Sequence, residues 1–336
     1  MKKLFVYLSI GCIVSILIIL TFFINKSDTK TQEIPLRFKK TYSLSEDIAS
    51  TSSLFVKNDK LFILDNLSKI LFALNYQFKI EFRLDKYGKG PGEFLEPLFA
   101  YDNIAENHIV VIDIDKLNEM HFDYLGNYLS QTPMEDFEMC YRQLSVKDAV
   151  VKNIFQIKFE DNKMLNIGKI VLESNENMII LSENIKAPED FALPIFCCSD
   201  ESIYISQNSE NQYKIDVFDN NGNFIRKITK TYYKIKKEQH EVEYEMLKNG
   251  DDGEKEGLVY KEYHLSIRQI FYYNKNLWVL TQDRDSAYFD IIDREGNFVS
   301  QVALNRKITG DFFIIKCSIC ELIINDDETF KVNTYF

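Results

Sequence analysis

Phe122-Asp-Tyr-Leu-Gly-Asn-Tyr128, Phe218-Asp-Asn-Asn-Gly-Asn-Phe224 and Ile292-Asp-Arg-Glu-Gly-Asn-Phe298 repeat one pattern, apolar-Asp-x-x-Gly-Asn-aromatic. Each stands between two apolar runs and reads as a hairpin turn. The Asp caps its own backbone, the Gly takes a positive φ and the aromatic restarts the next strand. Leu74-Asn75-Tyr-Gln-Phe-Lys-Ile80 is a degraded fourth copy, with Asn75 for the aspartate and no glycine.

Working outward, each copy follows a second apolar run. These runs are Leu61-Phe-Ile-Leu-Asp65, Ile109-Val-Val-Ile-Asp113, Ile203-Tyr-Ile-Ser206 and Leu277-Trp-Val-Leu-Thr281. With a further strand leading in, the unit has four strands, which is one propeller blade. Asn75 and Asp123 lie 48 positions apart, Asp123 and Asp219 96, and Asp219 and Asp293 74. The 96-residue interval holds two blades, one of which has lost its turn signature around Ile154 to Ser182. The 74-residue interval holds one blade and an insertion, and a last unit runs from Phe312 to Phe336. Six units result. The last ends after three strands, and an open edge at the seam of a ring is prone to aggregation. Leu36 to Leu44 alternates like an outer strand and is expected to close that blade.

Composition agrees. Hydrophobic residues form 46% of 336, enough for a core, with Phe (26) and Tyr (19) abundant and Gly (12) and Pro (6) scarce. Aromatic side chains favour a pleated, half-buried surface. The net charge of −11 offers no basic stripe to displace counterions from phosphates, so nucleic acid is not an expected partner.

Lys2-Lys3 precede an apolar run, Leu4 to Ile24, broken only by Ser9, Gly11, Ser15 and Thr21. At about 1.5 Å per residue such a run spans a bilayer core of about 30 Å. A cleaved signal peptide has a shorter apolar region and a small-x-small site. A lipoprotein would acylate Cys12, but the residues before it, Ser9-Ile-Gly11, lack the usual upstream leucine. An uncleaved signal-anchor fits best, with the positive end in the cytoplasm. The expected organisation is a transmembrane anchor at 1–25, a tether at 26–35 and a propeller at 36–336. A helical and charged insertion at about 232–265 carries a helix read over Lys237 to Asn249.

Phe62-Ile-Leu-Asp65 and Val111-Ile-Asp113…Asn118…Phe122-Asp123…Gly126 resemble the NHL repeat. Lys86-Tyr-Gly-Lys-Gly-Pro-Gly-Glu-Phe94-Leu-Glu-Pro97 is similar to the signature loop of extracytoplasmic six-bladed propellers common in Bacteroidota. The resemblance spans about residues 36 to 336 and implies an exported, often lipid-anchored protein of unassigned activity. This chain departs from it in carrying an apolar helix without a clear lipobox and in one degenerate blade.

The chemistry-bearing residues are few. Gly88-Lys-Gly-Pro-Gly92 lacks the GK[ST] ending and the following helix of a phosphate loop. Asp219-Asn-Asn-Gly-Asn223 alternates oxygen ligands, but an EF-hand needs Gly at position six and Glu at twelve, where Phe224 and Lys230 stand. The histidines at 108, 121, 240 and 264 are scattered, and Cys317-Ser-Ile-Cys320 has no second ligand pair for zinc. These cysteines therefore read as core thiols or one disulfide around a strand turn. No nucleophile elbow is present. Asp65 and Asp113 end equivalent strands, where they either cap turns or line a channel mouth. With Tyr87 and Glu93 of the glycine-rich loop they are the candidates for ligand contact. No cofactor, metal or catalytic residue is expected. The function read from this is a membrane-tethered binding platform on the periplasmic side of the inner membrane, for a protein, peptide or glycan. The alternative is a hydrolase or lyase, calcium-assisted or not, with its site at the channel mouth.

Overall fold

A computed structural model describes residues 32–336 apart from 45–47, 135–137, 161–162, 175–176, 187–192, 208, 240–241, 243–261, 283–285, 305–309, 325–328 and 336. The apolar run Leu4 to Ile24 lies outside the described residues. Among those described, no helix is long and apolar enough to cross a membrane.

After β1 (Gln32–Pro35) and β2 (Phe38–Ser43), the chain lays down its blades in order. Blade 1 is β3 (Ser53–Lys57), β4 (Lys60–Asp65), β5 (Ile70–Leu74) and β6 (Ile80–Leu84). Blade 2 is β7 (Pro97–Asn103), β8 (His108–Asp113), β9 (Asn118–Phe122) and β10 (Tyr128–Pro133). Blade 3 is β11 (Glu138–Val146), β12 (Ala149–Glu160), β13 (Lys163–Ser174) and β14 (Asn177–Lys186). Blade 4 is β15 (Ile195–Cys198), β16 (Ser202–Ser206), β17 (Tyr213–Asp219) and β18 (Phe224–Lys230). Blade 5 is β19 (Gln269–Tyr273), β20 (Asn276–Gln282), β21 (Ala287–Ile292) and β22 (Phe298–Ala303). Blade 6 is β23 (Gly310–Ile315), β24 (Ser318–Ile324) and β25 (Phe330–Tyr335), completed by β2.

The molecule is therefore an all-β, six-bladed propeller of four-stranded blades. β2 lies antiparallel to β25, with Thr41 opposite Asn333 and Tyr42 opposite Val332, so the N-terminal strand closes the last blade. Gln32–Pro35, assigned from sequence to the tether, is instead a fifth strand on blade 5. It runs parallel to β22, with Gln32 opposite Ser300. Its polar, proline-ended sequence gives no alternation to read, because its place is set by the free edge of β22.

Six apolar clusters lie one at each blade-to-blade seam, and they account for the continuous apolar second strands. In β8, Ile109 and Val111 pack toward blade 1, while Val110 and Ile112 pack toward blade 3. In β4, Leu61 and Ile63 face blade 6, and Phe62 and Leu64 face blade 2. A strand buried on both faces carries no polar alternation, and each fully buried side chain of this size stabilises by about 1.5–3 kcal/mol. The seam between blades 4 and 5 also holds an ion pair. Lys230 Nζ lies 3.0 Å from the fully buried Asp290 carboxylate, among the rings of Tyr213, Tyr288 and Phe298.

The signature turns form as their chemistry requires. Asp219 Oδ1 accepts the Asn221 and Asn223 amides at 2.8 Å each, and Oδ2 accepts the Asn223 side chain at 2.9 Å. Gly126, Gly222 and Gly296 sit at φ of 87°, 84° and 87°. A second demand is invisible in the sequence. A Cβ on Gly126 would stand 2.8 Å from Phe82 of blade 1, and one on Gly222 would stand 3.2 Å from Leu181 of blade 3. Each turn thus seats against the outer strand of the preceding blade.

Candidate functional site

Antiparallel strands give the ring two rims. The loops between second and third strands share one rim with the blade-to-blade connections, here the loop rim. The hairpins between first and second strands and between third and fourth strands lie on the opposite, turn rim.

On the loop rim, Asp65 and Asp113 occupy equivalent posts, both fully buried. Asp65 accepts the Ala49 amide at 2.7 Å, the Ser50 hydroxyl at 2.5 Å and the Leu67 and Ser68 amides at 3.0 and 3.1 Å. Asp113 accepts Leu95 at 2.6 Å and Glu96 and Lys116 at 3.2 Å each. Each carboxylate ties the turn after its strand to the connection entering the same blade. In blade 5 Thr281 ties its strand to the entering connection by donating to the Ser266 carbonyl at 2.8 Å. Burial works to raise the Asp65 carboxyl, but the Ser50 hydroxyl and the Ala49 and Ser68 bonds outweigh it and hold it below the usual range. These oxygens are committed to the backbone.

The glycine-rich loop crosses the same rim. Phe94 is its buried plug, donating its amide to Lys86 at 2.7 Å. Glu93 Oε2 accepts the Gly90 amide at 2.8 Å, so its own carboxylate takes the place an anion would need. Lys116 Nζ binds the Glu93 and Gly90 carbonyls, and Lys69 Nζ binds Glu96 at 2.6 Å. Tyr87 is 70% exposed, with Lys69 Nζ 5.4 Å from its ring centre. Of the four residues singled out from sequence, only Tyr87 presents a largely free surface.

Two larger features rise from the loop rim. The connection from blade 4 to blade 5 begins as a paired stem, with Lys237 donating to Glu262 and His264 to Ile235, both at 2.9 Å. Of the helix read over Lys237 to Asn249, the described residues Gln239 and Val242 are helical, and the Val242 amide reaches Glu238 at 3.3 Å. The rest lies outside the described residues. The second feature is blade 3, whose strands run 9, 12, 12 and 10 residues. Strands of four to seven residues build blade 4. β12 and β13 therefore project as a hairpin arm, with Met164 exposed on β13 and Ile185 exposed on the adjoining β14.

The histidines correct the sequence reading. His108 on β8 and His121 on β9 lie 13 positions apart, yet His108 Nε2 stands 2.7 Å from His121 Nδ1. Both are buried. Glu106 approaches His108 Nδ1 at 3.6 Å, and Thr132 Oγ1 lies 3.0 Å from His121 Nε2. The hairpin register is the missing signal. Val110 pairs with His121, which puts His108 one diagonal step away on the face toward blade 3. Burial and the neighbouring His108 push the His121 imidazole below its ordinary value. Nearby, burial raises the Glu119 carboxyl, partly offset by Lys152.

The described cysteines form no disulfide. Burial pushes the Cys140, Cys198 and Cys320 thiols up to about 12. Thiols so raised are protonated and poor nucleophiles, which fits core packing and not redox exchange.

No family model and no curated protein matches the sequence. Solved structures do match, as folds. A member of the DUF4221 family from Bacteroides vulgatus superposes with a TM-score of 0.56 at 10% identity, covering 91% of this chain and 99% of that one. A Bacteroides fragilis protein assigned as exported gives 0.51 at 10% identity, covering 92% and 97%. U3-55K gives 0.52 at 6% identity, covering 88% and 98%. At these identities the likeness is one of fold.

Proposed function

We propose that this chain is an NHL-like, membrane-tethered extracytoplasmic propeller that presents its loop rim to a protein, peptide or glycan. The observation that carries the proposal is the division of labour between the rims. The chain joins the ring at Gln32, opposite Ser300 near the turn-rim end of β22. The apolar run ends at Ile24, and seven linking residues reach at most about 25 Å. A bilayer anchored by Leu4 to Ile24 therefore lies against the turn rim. That side carries exposed apolar residues early in the outer strands of blades 2 to 5: Leu129, Met178, Ile180, Phe224, Ile225 and Val299. Side chains of this kind sit well at a lipid interface. The stem, the blade 3 arm and Tyr87 rise from the opposite rim and face away from the bilayer, where a partner arrives. The exported assignment of the fragilis fold neighbour agrees with this placement.

Site-directed photocrosslinking in intact cells tests it. A photoreactive side chain at position 180 or 224 should label lipid, and one at 87, or in place of Tyr233, which is 81% exposed between β18 and the stem, should label a discrete protein, peptide or glycan. Lipid labelling from 87 and 233, or no adduct there, would overturn the orientation and the platform. Intact mass showing loss of residues 1–30, or release by alkaline wash, would overturn the anchor.

A further inference from the structure

We propose that Glu106, His108 and His121 form a binding site for a transition-metal dication, with zinc(II) the best fit. One donor atom from each residue lies within 4.8 Å of the other two. The two imidazoles come from neighbouring strands of a rigid sheet, both buried, with their facing nitrogens 2.7 Å apart. At zinc–nitrogen bonds of about 2.0–2.1 Å, two imidazoles on a tetrahedral ion stand about 3.3 Å apart. Opening the facing nitrogens by about 0.6 Å, with both rings turned so that their lone pairs converge, converts the present contact into a two-imidazole chelate.

The surroundings suit a metal. Thr132 Oγ1 lies at His121 Nε2, the outer nitrogen, and leaves Nδ1 aimed at His108. An outer partner of this kind fixes the tautomer and orientation of a ligating imidazole. Glu106 sits on the β7–β8 turn with its side chain 66% exposed and its carboxylate 3.6 Å from His108 Nδ1, the nitrogen turned away from His121. A swing of this exposed side chain brings the carboxylate round to the ion and opens a route from solvent. That turn is held from both sides. The Glu106 amide is 3.4 Å from Asn103 Oδ1, and the Ile104 amide reaches Gln143 Oε1 of blade 3 at 3.2 Å. Two imidazoles and one carboxylate are the donors of a three-ligand zinc site with a fourth position open. Calcium and magnesium, which prefer all-oxygen shells, do not fit. A lone Glu-His-His-Thr hydrogen-bond chain is the competing account of the same geometry.

Zinc(II) titration of the metal-stripped full-length protein in detergent, against a chelating dye, separates the two. One zinc per chain is expected, and cobalt(II) substitution should give visible ligand-field bands without thiolate charge transfer. Glu106→Gln is on the surface and keeps the fold, and it should weaken zinc binding at least tenfold. Thr132→Val should weaken it about 10- to 100-fold, as for other outer-shell partners. His108→Asn with His121→Asn should abolish it, while Cys317→Ser with Cys320→Ser should leave it unchanged. No stoichiometric zinc, binding that survives the double histidine change, or a thiolate band from cobalt would overturn the proposal.

Discussion

Phe78 shows how one residue reconciles local strain with long-range packing. It stands where the other signature turns place glycine and holds φ at 61°. A non-glycine residue there costs about 1 kcal/mol or more. The position survives because the ring is only 5% exposed, edge-on to Tyr42 of the closing strand at 5.0 Å and to Phe313 of blade 6 at 6.2 Å. The lost glycine is thus replaced by a plug for the seam between blades 6 and 1. Phe78→Ala should cost about 3–5 kcal/mol, the usual loss for a buried phenylalanine. Phe78→Gly should cost about 1 kcal/mol less than Phe78→Ala, because it releases the backbone. Urea unfolding of the three proteins reads the order directly. Alanine proving milder than glycine would contradict a left-handed backbone at this site.

At the scale of the element, the two N-terminal strands differ in what they cover. β2 supplies the fourth strand of blade 6, and its Tyr42 joins the core shared with blade 1. β1 adds a fifth strand to a blade already complete. Deleting residues 36–44 should therefore collapse the melting transition or cause aggregation, since it bares β25 and uncovers Phe78. Shortening the chain to begin at Leu36 should lower the melting temperature by only a few degrees, about 1 kcal/mol or less on the scale of a single edge interaction. Differential scanning calorimetry of the two deletions makes the comparison. Equal effects would mean that the ring is not closed by β2.

For the whole molecule, carboxylates held below their ordinary range set the acid limit. Asp219 is lowered first by the Asn223 side chain, then by backbone amides. In Asp123 and Asp293, burial works upward but the bonds from Asn127 and Asn297 prevail. Asp65 behaves likewise. All four are depressed in the fold, so the folded state binds fewer protons than the unfolded chain, whose aspartates titrate near 3.9. Their contribution is complete above about pH 5 and is lost as pH falls through the folded values. The melting temperature should slip slightly below about pH 6.5, where the unfolded chain protonates His121 more readily than the fold does. It should fall steeply below about pH 5 as the four aspartates bind protons. A steep fall already complete near pH 6 would assign the acid limit to other groups.

The sequence by itself determined the blade. Asp and Asn side chains cap their own turns, glycine alone takes the positive φ cheaply, and apolar runs with no polar alternation must be buried on both faces. Those are local demands, legible at Asp123, Asp219 and Asp293 without a structure. The six-blade count and the closing strand followed from spacing and from the cost of an open edge. Tertiary structure decided the rest. Gln32–Pro35 is a strand only because β22 offers an edge, and Phe78 tolerates its backbone only because two blades enclose it. Asp65 and Asp113 could be matched to each other from sequence, but whether they faced a channel or the backbone depended on the connections folded over them. His108 and His121 meet because a hairpin register, which no single-residue pattern encodes, places them diagonally on one buried face.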